Sequence, residues 1–171
     1  MLSLQKNIMN NQFSVKWSLT VKIITVVFAL FLTLVEIKLL KSIFAGNLYW
    51  HIIVIAGIIF IALLSILLTP RYIQLNDDCF ILKKLIGKKI IDLQNIVNIE
   101  PFCKSMDIQI CGNGGYGGYF GVFSNVKIGK YFGYVGDFSQ AFLIQLKNGK
   151  NYVFSCENRD FVIETIKNKI L

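Results

Sequence analysis

The sequence has 171 residues, 54% of them hydrophobic, and its 18 Lys and Arg outweigh 10 Asp and Glu for a net charge of +8. That length holds one ordinary domain plus a membrane segment. Its basic residues are almost all lysines, Arg71 and Arg159 being the exceptions. Nucleic-acid readout through forked guanidinium donors is therefore disfavoured, and no nucleic-acid partner is expected.

In chain order, residues 1–16 read as a cytoplasmic N-terminal segment carrying Lys6 and Lys16. The apolar stretch that follows predicts a first transmembrane helix over about 17–37. Residues 23–35 are uncharged, which is short of the roughly 20 that a bilayer needs. Lys22 is therefore expected to snorkel, with Trp17 in the aromatic belt at the same end. Glu36, Lys38 and Lys41 follow directly and no small-x-small cleavage site precedes the second span, which favours a retained helix over a signal peptide. A second transmembrane helix is predicted over 49–69, with Tyr49 and Trp50 as an interfacial belt and Thr69-Pro70-Arg71 as its terminator. Almost unbroken Ile, Leu, Val and Phe on every face favours lipid over a soluble core. His51, the single histidine, has no acidic partner in the second span and reads as an interfacial residue rather than a proton relay.

Lys6, Lys16, Arg71, Lys83, Lys84, Lys88 and Lys89 flank the hairpin on one side, against Lys38 and Lys41 in the connecting loop. The positive-inside rule then puts both termini and the C-terminal domain in the cytoplasm. The four cysteines, Cys79, Cys103, Cys111 and Cys156, form no C-x-x-C pair. Zinc needs closely spaced Cys or His ligands, so no metal is expected and the thiols read as free and largely buried, in a reducing compartment.

From residue 70 to 171 the pattern is one of short strands and turns. Strands are predicted at 72–75, 79–86 and 89–93, with turns at Asn76-Asp77-Asp78 and Gly87. Residues 141–147 and 151–156 alternate around Asn148-Gly149, a two-residue hairpin signal because both positions tolerate positive φ. A helix is expected over 158–170, with Asn158 as N-cap, Asp160 near its start and Lys167 and Lys169 near its end. Its apolar side is read as Phe161, Val162, Thr165, Ile166 and Lys169. Consecutive antiparallel hairpins finished by one amphipathic helix predict a curved antiparallel sheet or barrel plugged at one end.

Between the hairpins, Gly114-Gly115-Tyr116-Gly117-Gly118-Tyr119-Phe120-Gly121-Val122-Phe123 runs into Ile128-Gly129-Lys130-Tyr131-Phe132 and Tyr134. This stretch resembles a bacterial pleckstrin-homology-like family, whose Gly-Gly-aromatic-Gly-x-Phe segment leads to a Leu/Ile-Gly-x-aromatic strand and whose members often carry membrane helices ahead of the domain. The resemblance covers about 71–170. It implies a PH-like fold with a binding or scaffolding role, and no settled activity or ligand; with the two spans, the chain is expected in a bacterial cytoplasmic membrane. Val135-Gly136-Asp137 departs from the short polar Ala-Thr-Asn-like segment of the family pattern, so the strand exit there is expected to differ.

Gly112-Asn113-Gly114-Gly115-Tyr116-Gly117 formally matches G-x-G-x-x-G, but that fingerprint must open a helix to hold a pyrophosphate. Here it opens onto alternating aromatics, so it reads as a glycine-kinked hairpin whose tip, Tyr116, Tyr119 and Phe120, is a candidate contact surface for lipid or protein. Lys83, Lys84, Lys88 and Lys89 are the candidate contact with anionic headgroups; the alternative is a charged hairpin guarding a sheet edge. The acids do not pair and no domain His exists, so no catalytic residue, cofactor or enzyme activity is expected. The expectation is a membrane-anchored interaction or scaffold module that binds a protein partner, a second copy or an anionic membrane surface. The alternative is an oligomeric transport or channel subunit with the domain as its gate, disfavoured because Thr25, Thr33 and Ser65 make no polar stripe.

Overall fold

Ile, Val, Leu and Phe follow one another from residue 19 with no Gly or Pro to interrupt them, and backbone amides in such a stretch are satisfied by a helix. The computed structural model describes residues 11–43 and 48–170. A three-residue strand, β1 (Gln12–Ser14), precedes helix α1 (Leu19–Ile43, 25 residues), about 37 Å long at the usual rise. Ser18 caps it, its hydroxyl accepting from the Val21 amide at 3.3 Å. Helix α2 (Leu48–Leu67) returns and packs on α1. Thr25 and Thr33 donate to the carbonyls of Val21 (2.7 Å) and Ala29 (2.9 Å), so their hydroxyls are satisfied within the helix. By length and composition α1 is able to cross a bilayer over Leu19–Leu39; the apolar helix Ile52–Leu67 is shorter. Lys6 and the side chains of Tyr49, Trp50 and His51 lie outside the described residues.

Pro70 ends the helical pair and opens β2 (Pro70–Leu75), followed by β3 (Cys79–Lys84), β4 (Lys88–Asp92), β5 (Ile96–Pro101), β6 (Ile108–Gly114), β7 (Tyr119–Asn125), β8 (Gly129–Val135), β9 (Ala141–Leu146), β10 (Asn151–Ser155) and helix α3 (Arg159–Ile170). The first sheet has the order β1-β2-β3-β4, the second β5-β9-β10-β8-β7-β6. Period-2 burial is plain in β3, where Phe80 and Leu82 are buried between less buried neighbours. The sheets face each other through Phe80, whose ring lies 4.7 Å from Phe154 and 6.2 Å from Phe142. Val162, Ile163 and Ile166 of α3 close the same core, and Phe13 and Val15 fill it from the N-terminal side. A second cluster of Phe102, Phe123, Tyr131, Val135, Leu143 and Val153 lies on the other face of the six-stranded sheet.

The mostly β domain with a C-terminal helix is as expected, and Asn148-Gly149 turns the β9–β10 hairpin with Gly149 at φ +75°. Several features differ. The six-stranded sheet is not wholly antiparallel, since β10 pairs with β8 in parallel from Asn151↔Tyr131 to Phe154↔Tyr134. The short link from β8 to β9 skips one strand position, about 10 Å, and β10 folds back into the gap. β1, β5 and β6 are strands beyond those the sequence pattern predicts. On α3 the buried residues are Val162, Ile163 and Ile166, while Phe161 is 42% exposed and touches the Phe13 ring at 5.9 Å. Asn158 does precede this helix, but at φ +58°, and its carbonyl accepts from Val162 N at 3.2 Å. The four thiols are free as expected, yet only Cys156 is buried; Cys103 and Cys111 are exposed.

The glycine at position 136 has a steric cause. A Cβ there would meet the Lys16 carbonyl oxygen at 2.4 Å, because the segment that leads from β1 into α1 passes over this glycine. The Gly136 carbonyl accepts from Ser18 N at 3.0 Å, and its amide donates to Ser155 Oγ at 2.8 Å.

Phe13 is 2% exposed, so Phe13→Ala is expected to cost about 3–5 kcal/mol, read as a lower denaturant midpoint of the β signal. Burial pushes the Cys156 thiol up to about 12, with Glu157 adding and Arg159 opposing. The neutral thiol's contribution is complete below the ordinary thiol range and is lost as pH rises from there towards about 12. Cys156→Ala is expected to flatten that alkaline loss of stability, measured as denaturant midpoint against pH.

Candidate functional site

Strand alternation divides the lysine cluster. Lys84 and Lys89 share the core-facing side with Phe80, Leu82 and Ile91, while Lys83 and Lys88 point outward with Ile81 and Ile90. The register sets Lys83 directly opposite Lys88, and like charges so placed repel. Neither makes a salt bridge among the described residues. Lys84 Nζ lies 5.8 Å from the Tyr134 ring centre and Lys89 Nζ 4.8 Å from that of Tyr152, contacts worth about 0.5–1 kcal/mol when partly exposed. These rings belong to a stacked series, Phe132 on Tyr152 at 5.3 Å and Tyr134 on Phe154 at 5.7 Å. Burial lifts the Tyr134 pKa, against the pull of Lys89.

The tip joining these two strands carries Leu85 (43% exposed) and Ile86 (59%). It is fixed to the helical pair, since Ile86 N donates to the Leu67 carbonyl at the end of α2, 3.0 Å away. Exposed aliphatic side chains and the outward lysines therefore share one end of the hairpin, against the base of the helices.

The glycine-rich turn between β6 and β7 docks on α1, about two turns in from its start. Asn113 Oδ1 accepts from the amides of Gly115 (3.2 Å) and Tyr116 (3.0 Å), and its Nδ2 donates to the Tyr116 carbonyl, so one side chain shapes the tip. Gly117, at φ +71°, donates its amide to Thr25 Oγ1 at 2.9 Å. Tyr116 meets Phe28 of α1 edge-on at 5.3 Å. Gly112 and Gly121 face each other so closely that a Cβ on Gly121 would meet the Cys111 carbonyl oxygen at 2.2 Å, which explains the flanking glycines.

The three aromatic candidates of this turn do not form one surface. Tyr116 is against α1, Tyr119 packs on Phe138 at 4.9 Å beneath Lys104, and Phe120 faces the opposite side of β7. The helix contacts of Thr25 and Phe28 carry no local signal in the sequence. Nor does a buried polar group at the far end of β7, where Asn125 donates to Ser105 Oγ (2.9 Å) and Asp107, and Tyr131 donates to Asp107 at 3.0 Å. Burial, with the Asp107 charge second, raises the Tyr131 pKa, so this phenol stays a neutral donor holding the strand ends together. No metal-ligand cluster occurs among the described residues.

A family model described as bacterial PH domain matches residues 71–170. No curated protein and no solved structure matches the chain.

Thr25→Val keeps the shape of the side chain and removes the acceptor for Gly117. Loss of a hydrogen bond near 1 kcal/mol is expected to raise amide exchange at Gly117 about fivefold, measured by hydrogen–deuterium exchange, with the β9–β10 hairpin unchanged.

Proposed function

Since this chain belongs to the bacterial PH domain family, we propose that it is a non-enzymatic, membrane-anchored interaction module, with α1 and α2 as a transmembrane hairpin and the PH domain in the cytoplasm. The observation that carries the reading is the apolar surface of both helices: Val27 (60%), Phe31 (59%), Ile53 (64%) and Ile61 (67%) are left largely uncovered by the described residues. Contiguous apolar surface of that extent marks an interface or a membrane. The pairing of β1 with β2 supports two crossings. β1 precedes α1 and β2 follows α2, and these strands are hydrogen-bonded neighbours. The two ends of the helical pair therefore lie on one side, so a chain that crosses with α1 crosses back with α2.

On this reading the β3–β4 tip meets the headgroup layer. Leu85 and Ile86 rest in its apolar edge, and Lys83 and Lys88 gain the counter-charge that the domain does not supply, each adding roughly 1 kcal/mol of attraction to anionic lipid. The glycine-rich turn docks on α1 on the same side of the domain, and the surface turned away from the helices is left to a protein partner or a second copy. The transport alternative gains no support from Thr25 and Thr33, whose hydroxyls are bonded within the helix or to the domain.

The chain is expected to stay with membranes through an alkaline carbonate wash. Cys103 and Cys111 are exposed on the domain, so an impermeant maleimide added outside intact cells is expected to label neither until the membrane is permeabilised. Release by the wash defeats the anchor; labelling of intact cells reverses the orientation. A photo-crosslinking side chain at position 86 is expected to capture phospholipid, and protein adducts alone would remove the hairpin from the membrane surface.

A further inference from the structure

Where the helical pair joins the domain there is an open cavity of about 390 Å³ lined by Lys16, Trp17, Lys22, Thr69, Pro70 and Arg71, with Val15 at its base. Three cations from three different places meet here: the segment that follows β1, the first turn of α1 and the start of β2. The pairing of β1 with β2 continues to the bond from Val15 N to the Arg71 carbonyl, 2.8 Å, and this is what brings them together. Lys16 is bound to Glu157. Lys22 and Arg71 join no salt bridge among the described residues, and both are exposed at the cavity. The capped N-terminus of α1 adds its partial positive charge to theirs.

The wall is not that of a simple anion site. Val15 and Pro70 are buried and Trp17 half-buried, and beyond the cavity the exposed side chains of Leu19 and Ile23 continue along α1. A free phosphate would satisfy the cations and leave this apolar wall against water. A lipid supplies both parts, a phosphodiester for Lys22 and Arg71 and a glycerol backbone and acyl chains for Trp17 and the flank of α1. Two cations without carboxylate partners favour a lipid of net negative charge over a zwitterionic one.

We infer that this cavity holds the headgroup of an anionic glycerophospholipid drawn from the surrounding bilayer, with Lys22 and Arg71 on the phosphodiester and Trp17 against the glycerol. The inference rests on the membrane reading above. It differs from the contact at the β3–β4 tip in being a cavity for one lipid molecule, built by the junction itself.

The test uses the full chain, after the carbonate wash has established that it is membrane-integral; release at that stage defeats the membrane reading and this site together. The protein is extracted in a mild detergent and offered equal amounts of phosphatidylglycerol and phosphatidylcholine, and the lipid retained is counted by native mass spectrometry. Phosphatidylglycerol is expected to be retained in preference. Lys22→Gln and Arg71→Gln are each expected to lower its retention about fivefold, while the charge-conserving Lys22→Arg with Arg71→Lys retains it and Lys83→Gln with Lys88→Gln leaves it unchanged. Equal retention of the two lipids by the unaltered chain overturns the proposal. So does an undiminished signal in the Lys22→Gln, Arg71→Gln double variant, or a loss that follows Lys83 and Lys88 instead. Displacement of the lipid by excess inorganic phosphate identifies a soluble-anion site and overturns it equally.

Discussion

The pairing of Gln12, Phe13 and Ser14 with Gln74, Ile73 and Tyr72 is the contact on which the arrangement of this molecule turns. Three residues form the edge of the four-stranded sheet, and what lies between the paired segments is the whole helical hairpin. Because the pair is antiparallel, the chain leaves the domain and returns to it at adjacent points. Phe13 and Val15 sink into the core between the sheets, so the strand is held by burial as well as by backbone bonds. Gly136 gives way to the segment above it and binds Ser18, the cap of α1. The first turn of that helix is thus set against the domain before any lipid is considered.

Two further ties join the domain to the helices. Thr25 and Phe28 hold the glycine-rich turn, and the Leu67 carbonyl holds the β3–β4 tip. With the β1–β2 pairing these make three attachments around the base of the helices, and a body attached at three points does not swing freely. The domain is therefore oriented with respect to the helical pair. That makes the distribution of charge on its near side meaningful: Lys83 and Lys88 on one hairpin, Lys22 and Arg71 in the junction. In a domain on a loose linker the same lysines would be spread over all orientations.

Much of the fold was legible in the residues. The switch from unbroken aliphatics to alternation at Pro70, the Asn148-Gly149 turn and the charge gradient of the last helix each depend on near neighbours in sequence, and each stands in the structure. The glycine stretch was legible as a kinked hairpin, because Tyr119, Gly121 and Phe123 alternate with Phe120 and Val122 as strand residues do. Other parts were not legible. Gln12–Ser14 is too short to show a period. β6 is exposed along nearly its whole length and carries no burial pattern. The division of the lysine cluster was available from the sequence, since Lys83 and Lys84 are adjacent in a strand and must point to opposite faces.

What the sequence by itself determined is everything that follows from local periodicity and hydropathy: an apolar helical region, a strand-rich domain and a closing helix. What only the tertiary structure decided is who meets whom across long separations. The parallel insertion of β10 beside β8, the return of β1 to β2 across the helical hairpin, and the meeting of Lys16, Lys22 and Arg71 in one cavity are all of this kind. Hydrophobic burial is non-directional and fixes which residues go inside. Strand register and the reach of short connections fix the neighbours, and those depend on backbone geometry that no local pattern encodes.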